Sequence, residues 1–369
     1  MTTAGPLRVA LVGGSMYDHL DECFEAAEIV VHADHPTLNR RVAEMLSAGE
    51  RIDVLATHSK YAPSQRQWLL GLDELIAPEV LAPLAPRAVE LCRFDATLLC
   101  APRLVDVRVL WAHTDRVAAV PDTWAELLDS GLVFGFPGRE SGLFGTFFEL
   151  VTGAGGSLFD DALRPTMATP EAEWAIDALC RLAARAPSDL PAWHYDGVDA
   201  ALLDGRVDAA AAWPGGWGAI RASEHAATLR PFPYPAGSAR RVSYSGCHAW
   251  GIPTTCGDLD RAVALVTDLL GAEAQTLDAS GGTMCAHIDA LAAVVPVDDT
   301  DRRRLEITRA TIDEAMITYP PLARFPEVED AGWSAIHAAL TGRCSSRAAA
   351  SDIQAAAAAV LMSGSELRP

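Results

Sequence analysis

The amino-terminal part of the chain alternates between unbroken apolar runs and segments whose apolar residues recur every three or four positions. The unbroken runs LRVALVGG, EIVVHA and RIDVLATHS predict buried strands. The intervening segments YDHLDECFEAAE and TLNRRVAEMLSAG have helical spacing, and Gly49 ends the second of them. Strands that alternate with helices indicate βαβ units, a largely parallel sheet and the α/β class.

Helical spacing alone continues toward the carboxyl end. It predicts the helices DLDRAVALVTDLLGAEAQTLDAS, TDRRRLEITRATIDEA, EVEDAGWSAIHAALTG and SSRAAASDIQAAAAAVLMS. The longest apolar candidate, residues 355–362, is much shorter than the roughly 20 residues that span a bilayer. We therefore expect no membrane-spanning segment.

Parallel sheets bind ligands beyond the carboxyl ends of their strands, so we expect ligand-binding residues in the segments that follow strands. Five of them share glycine, aromatic and polar residues: GGSMYDH, THSKYAPSQ, FPGRESGLFG, WPGGWG and SGCHAWG. Each one alone is also compatible with an ordinary turn. Together they indicate a binding surface.

Charge narrows the class of ligand. The chain of 369 residues has a formal net charge of −20, which argues against nucleic-acid or anionic-membrane partners because both require clustered Lys and Arg. We expect a small-molecule ligand. Motifs of zinc proteases, serine hydrolases, P-loop ATPases and dinucleotide-binding enzymes do not occur, and we expect no cofactor.

The eight cysteines show no spacing typical of a zinc site, and we expect no metal. Their pattern suits buried thiols in a reducing compartment, although the even number leaves disulfides open.

Two tryptophans, Trp213 and Trp217, flank a Pro-Gly-Gly turn. Sugars and polyols present apolar C–H faces and hydroxyl groups, and flat aromatic rings with fixed polar groups match both. We expect at least one of these rings to contact ligand; the alternative is that both pack beneath the loop.

Polar candidates follow two further predicted strands. His58, Ser59, Lys60 and Tyr61 offer donors and acceptors, unless Lys60 is a solvated charge and His58 a capping residue. The second group is Arg139, Glu140 and Ser141. Arg139 suits a carboxylate or vicinal diol and Glu140 suits hydroxyl groups; an ion pair of Arg139 with an acid is the alternative.

The order of several segments resembles the extracellular solute-binding proteins of ABC importers, in the carbohydrate-type branch related to maltose-binding protein. The segments are GERIDVLATHSKYAPSQ, LVDVRVLWAHTD, VPDTWAELLDSG, ATPEAEWAIDALCRLA, ALLDGRVDAAAAWPGGWG and SYSGCHAWGIP. The resemblance implies a bilobal, periplasmic-binding-protein-like type II fold: two mixed-sheet lobes with a hinge and a ligand cleft. The implied lobes are residues 1–110 with 247–305, and 111–246 with 306–369.

The resemblance also places residues near the predicted crossings between lobes, where the family often contacts ligand. These are Arg103, Asp106 and Trp111 at the first crossing, and Tyr244, Ser245 and His248 at the second. The implied function is capture of a carbohydrate or a similar polyhydroxylated solute, neutral or anionic, for uptake through an ABC permease. We expect a monomer.

Two alternatives remain open. The family is normally exported, whereas no signal peptide is evident in this sequence, so we expect a cytoplasmic location as written and an extracytoplasmic one if the start is trimmed. A cytoplasmic member suits a ligand sensor, or an enzyme with thiaminase-like use of Cys247 beside His248. Against the enzyme, adjacent residues of a strand point to opposite faces.

Overall fold

The computed structural model describes residues 5–14 and 17–365. The described residues form two compact units. Unit 1 takes the residues up to 106 together with 246–295 and 321–323, and unit 2 takes 107–245, 296–320 and those from 324 onward. The sequence-based boundaries after residues 110 and 246 lie beside these limits, whereas the boundary after residue 305 falls within the helix Asp299–Glu314.

The described residues contain short strands, most of them buried. They are β1 (Leu7–Val12), β2 (Ala27–Ala33), β3 (Val54–His58), β4 (Arg93–Phe94), β5 (Thr97–Leu98), β6 (Ala101–Val105), β7 (Val109–His113), β8 (Phe134–Gly135), β9 (Ala209–Ala212), β10 (Leu229–Phe232), β11 (Ser243–Tyr244), β12 (Cys247–Gly251) and β13 (Met316–Ile317).

Helices occupy much of the remaining chain. They are α1 (His35–Ser47), α2 (Ala62–Gln65), α3 (Pro78–Leu81), α4 (Pro86–Leu91), α5 (Trp124–Asp129), α6 (Glu140–Gly153), α7 (Pro170–Ala183), α8 (Tyr195–Leu203), α9 (Trp217–Ala222), α10 (Leu259–Leu270), α11 (Ala272–Ser280), α12 (Ile288–Ala292), α13 (Asp299–Glu314), α14 (Phe325–Leu340) and α15 (Ser346–Ser365). Short 3-10 helices lie at Asp18–Phe24, Arg66–Trp68, Leu190–Ala192 and Pro214–Gly216.

Unit 1 is built on a mixed sheet with the strand order β2-β1-β3-β12-β6. The predicted βαβ segment supplies β2, β1 and β3, which pair in parallel. Strand β12 pairs antiparallel with both β3 and β6, and its register sets His248 opposite His58. The return of the chain into this sheet therefore brings two histidines together that are far apart in sequence.

Unit 2 contains a four-stranded sheet of order β10-β7-β9-β8 and a two-stranded pair, β11 with β13. Helix α6 packs against α7 and α14 and is buried from Ser141 to Gly153. A Cβ atom at Gly332 of α14 would overlap the ring of Phe144. Glycine at this position therefore allows α6 and α14 to approach closely.

Local differences from the sequence-based prediction have identifiable causes. The predicted helix at residues 17–28 is a 3-10 helix that ends at Phe24, because Ala27 already pairs with β1. The predicted helix at 258–280 divides at Gly271 into α10 and α11. The segment SGCHAWG was predicted as a strand-end loop, but most of it is β12 itself.

None of the helices in the described part of the chain combines the length and the apolar character needed to cross a membrane.

A buried ion pair lies in the interior of unit 2. The guanidinium of Arg108 contacts the carboxylate of Glu149 and donates to Thr146 Oγ1 at 3.2 Å. The other carboxylate oxygen of Glu149 accepts from the backbone N–H of Tyr244 at 2.8 Å. Burial opposes the charge on Arg108, but Glu149 and nearby tyrosine hydroxyls raise the pKa of the guanidinium. The pair fixes the backbone at Tyr244.

Removing one partner of this pair should destabilise the folded protein. We expect Arg108→Met to lower the free energy of unfolding by about 3–5 kcal/mol in urea denaturation, because the Glu149 carboxylate stays buried without its partner. The exposed pair of Arg347 with Glu173 is the control, and Arg347→Met should cost less than about 1 kcal/mol. Equal losses of unfolding free energy in the two variants would contradict the stabilising role assigned to the buried pair.

Candidate functional site

Three histidines converge in unit 1 and are called here the histidine cluster: His35, His58 and His248. His58 ends β3, His248 lies opposite it in β12, and His35 is the first residue of α1, directly after β2. The ring centroids of His58 and His248 are 4.9 Å apart, and those of His35 and His248 are 5.0 Å apart. Each ring belongs to an element at the carboxyl-end side of the parallel strands, where α/β sheets bind ligands.

Hydrogen-bonding atoms of the cluster lie within contact distance. His35 Nε2 is 3.2 Å from His248 Nδ1, and the hydroxyl of Tyr17 is 3.4 Å from each of these nitrogens. Neutral imidazoles and a phenol can act as donors and acceptors, so the group suits oxygen atoms of a ligand.

The surroundings favour neutral imidazoles. Burial lowers the pKa of His58 well below its ordinary value, and His35 and Lys60 lower it further. His58 Nδ1 also accepts the backbone N–H of Lys60 at 3.0 Å, which leaves only Nε2 to carry a proton. The pKa of His248 is lowered in the same way, most by burial and then by His58 and His35.

The three residues after His58 have different environments. Ser59 is buried, and its Oγ accepts the backbone N–H of Cys247 at 2.9 Å. The Lys60 ammonium lies 4.6 Å from the centre of the Tyr61 ring, which is itself buried. Ser59 therefore supports the pairing of β12, whereas Lys60 supplies positive charge near the cluster.

Arg103 is held inside unit 1 by a bidentate ion pair. Its Nε and Nη2 donate to the carboxylate of Asp278 at 2.8 and 2.7 Å. The guanidinium lies 5.1 Å from the ring centre of Tyr17 and 5.6 Å from that of Trp250. Burial opposes ionisation of Asp278, but the bonds from Arg103 and His19 keep the pKa of this carboxyl below its usual value. Arg103 thus helps to position the Tyr17 ring. The buried carboxylate of Asp106 lies 4.0 Å from His248 Nε2.

Unit 2 presents an aromatic group formed by Tyr195, Trp213 and Tyr244. The Trp213 ring is half-buried and stands edge-on to Tyr195 at 5.9 Å and to Tyr244 at 5.7 Å between centroids. The two tyrosine hydroxyls are hydrogen-bonded to each other. Trp213 follows β9, so a strand end holds the ring, and two perpendicular aromatic contacts restrain its orientation.

Trp217 has a different environment, although it is four residues away. It is 7% exposed, begins α9, and stacks on the fully buried Trp111 with the ring planes 18° apart. Arg304 also lies 5.5 Å from the Trp217 ring centre. Both of these rings are therefore committed to packing within unit 2.

The segment at the start of α6 combines a cation and an acid. Arg139 Nη1 lies 3.2 Å from Glu140 Oε1, and the other oxygen of Glu140 lies 3.7 Å from His194 Nε2. Arg139 and Glu140 are partly exposed and Ser141 is buried. Ser245 is also buried, and its backbone N–H donates to the carbonyl of Ile317 at 2.9 Å.

Cys247 is fully buried, and its Sγ donates to the carbonyl of His248 at 3.2 Å. His248, its neighbour in the strand, is partly exposed. The alternation of side chains along β12 therefore directs the thiol and the imidazole to different environments.

Sequence analysis did not select Tyr17, His35, His194 or Tyr195. Tyr17 lies in the strand-end segment GGSMYDH, and His35 follows β2, so the strand-end rule covers both positions. His194 is the N-cap of α8, Tyr195 is its first residue, and neither follows a strand, which explains why that rule gives no signal for them. In the described part of the chain no grouping of His, Cys, Asp and Glu could hold a metal ion.

Comparisons with known proteins identify the family and the fold. Residues 30–276 match the family described as bacterial extracellular solute-binding protein. None of the curated proteins matches the chain significantly.

Several solved structures share the fold at low sequence identity. Maltose-bound MalE3 of T. maritima has a TM-score of 0.86 at 21% identity, over 96% of this chain and 99% of that one. A solute-binding protein from Agrobacterium radiobacter in complex with ribitol has 0.85 at 16%, over 97% and 99%. One from Thermotoga lettingae bound with α-D-tagatose has 0.85 at 18%, over 97% and 100%. The predicted α/β fold of the bilobal sugar-binding proteins is confirmed.

The depressed pKa values of His58 and His248 predict acid sensitivity of the protein. In the unfolded chain these side chains take up protons near pH 6.5, whereas in the folded protein they do so only at lower pH. Below about pH 6.5 the unfolded state binds more protons, so the free energy of unfolding falls as the pH falls. Between pH 7.5 and 5.5 we expect the loss in urea denaturation to be about 1 kcal/mol smaller in His58→Gln than in wild type.

His32→Gln is the matched control, because its ring, in the same unit, lies 3.4 Å from Asp18 rather than in the cluster. This variant should keep the wild-type pH dependence. An unchanged loss in both His58→Gln and His248→Gln would contradict the prediction.

Proposed function

The chain belongs to the bacterial extracellular solute-binding proteins, and from this premise we propose that it captures a carbohydrate or similar polyhydroxylated solute for uptake by an ABC importer. The three similar solved structures hold bound maltose, ribitol and α-D-tagatose, which supports this class of solute. Closure of the two units on the solute, the motion that membership of the family implies, is part of the proposal.

The observation that carries the proposal is the half-buried Trp213 ring, held edge-on by Tyr195 and Tyr244. A rigid indole at a strand end offers an apolar platform to the C–H face of a sugar, at little cost in side-chain entropy. Arg139 and Glu140, at the start of α6, supply a donor and an acceptor for hydroxyl groups.

Unit 1 supplies the complementary polar groups. The histidine cluster and the Tyr17 hydroxyl present nitrogen and oxygen atoms 3.2–3.4 Å from one another. Hydroxyl groups of a polyol both donate and accept, and neutral imidazoles match both roles.

The test begins with a thermal-shift screen of maltose, ribitol, tagatose and further sugars, polyols and sugar acids. A solute present at 100 times its dissociation constant stabilises the protein by about 2.7 kcal/mol, which gives a measurable rise in Tm. Absence of any shift across these classes would contradict the proposed function, and so would conversion of the bound solute into a product.

Trp213→Ala should weaken binding of the best solute by more than about tenfold, or roughly 1.4 kcal/mol, in isothermal titration calorimetry, because it removes the platform. Trp333→Ala is the control: this half-buried tryptophan lies on α14, where its Nε1 contacts Asp330. It should leave the dissociation constant unchanged. Equal effects of the two substitutions would contradict the assignment of the platform.

Gly246→Ala tests the polar side. A Cβ atom at this position would lie 2.5 Å from Cε1 of His58 and would overlap Ser59 Oγ, so the imidazole must move. We expect binding to weaken roughly tenfold, or about 1.4 kcal/mol, in the same titration. The control Gly218→Ala has no atom within 4 Å of the added Cβ and should bind like wild type. Wild-type affinity in Gly246→Ala would exclude His58 from the site.

A further inference from the structure

The histidine cluster has an electrostatic property that recognition of hydroxyl groups does not require. Its three rings lie with centroids 4.9–6.1 Å apart, and the backbone of Lys60 bonds directly to His58. Protonation of any one ring is opposed by the other rings and by the lysine ammonium, since like charges repel. A negatively charged oxygen placed among them would reverse this balance, because it would stabilise each positive charge.

We propose that the histidine cluster binds an acidic group of the solute, so that the preferred ligand is a sugar acid or another polyhydroxylated acid whose binding takes up a proton. This inference rests on the proposed function and names the substrate class of the same site.

The charges around the cluster are consistent with an anionic guest. The titratable and charged groups that contact the cluster or act on it electrostatically are Tyr17, Lys60, Tyr61, Arg103 and Asp106. Arg103 and Lys60 both act on His248 as positive charges and lower its pKa. Asp106 lies at 4.0 Å from His248 Nε2, beyond hydrogen-bond distance.

Proton uptake follows from the protonation state of the unliganded protein. His58 and His248 are neutral near pH 7 because their pKa values are depressed. A bound carboxylate raises the pKa of the imidazole it contacts, so binding at pH 5.5–7.5 draws a proton from solution. Lower pH must then favour binding. A sugar carboxylate stays ionised across this range, because its own pKa lies near 3.5.

The experiment compares matched pairs of solutes by calorimetry with the full chain: glucose with glucuronate, galactose with galacturonate, and ribitol with ribonate. Titrations at pH 5.5, 6.5 and 7.5, in buffers of different ionisation enthalpy, give both the affinity and the protons taken up. We expect an acid to bind at least about tenfold more tightly than its neutral partner, with the affinity increasing as the pH falls, by up to about tenfold per unit for one proton.

Variants assign the effect to the cluster. His248→Gln and His35→Gln should lose both the acid preference and the proton uptake, and two variants are used in case one fails to fold. His32→Gln should keep both. Binding of neutral solutes as tight as that of the acids, without proton uptake, would overturn this inference while the proposed function stands. Binding of neither kind would overturn the proposed function and this inference with it.

Discussion

The pairing of β12 with β3 and β6 is the constraint on which the candidate site of unit 1 depends. The chain reaches β12 only after it has passed through most of unit 2, and the register then sets His248 opposite His58. Because side chains alternate along a strand, a slip of one residue would present Cys247 where His248 now lies. Ser59 helps to fix this register, since its Oγ binds the backbone N–H of Cys247.

Burial of three imidazoles has a physical cost that the fold limits in two ways. The imidazoles of His58 and His248 stay neutral, because burial and mutual repulsion lower their pKa values. They also bond to one another and to Tyr17, which replaces part of the lost hydration. The cluster is therefore compatible with a folded unit at neutral pH.

The sequence predicts the parallel strands β1, β2 and β3 of unit 1, because unbroken apolar runs separated by glycine and helical segments favour buried strands, but it gives β12 as a loop. It also places His58 and Trp213 at strand ends, where the structure has them. It could not find the contact between His35 and His248, since strand register over long sequence separations depends on packing that local patterns do not encode. Nor could it separate Trp213 from Trp217, because both flank the same turn and only the stacking of Trp217 on Trp111 distinguishes them.

Both units contain buried paired charges, Arg103 with Asp278 in unit 1 and Arg108 with Glu149 in unit 2, but unit 1 adds the histidine cluster, and this difference bears on specificity. In unit 2 the Arg108 guanidinium, beside the aromatic group, is neutralised by Glu149, and Arg304 bonds to Asp301 in the same way. Such internally paired charges hold the rings in place and contribute little field to a guest. In unit 1 the like-charged neighbours of His248 oppose its protonation, so a guest that supplies negative charge gains energy there. Discrimination between solutes of similar shape should therefore arise mainly at the histidines, because aromatic platforms accept any ring with an apolar face.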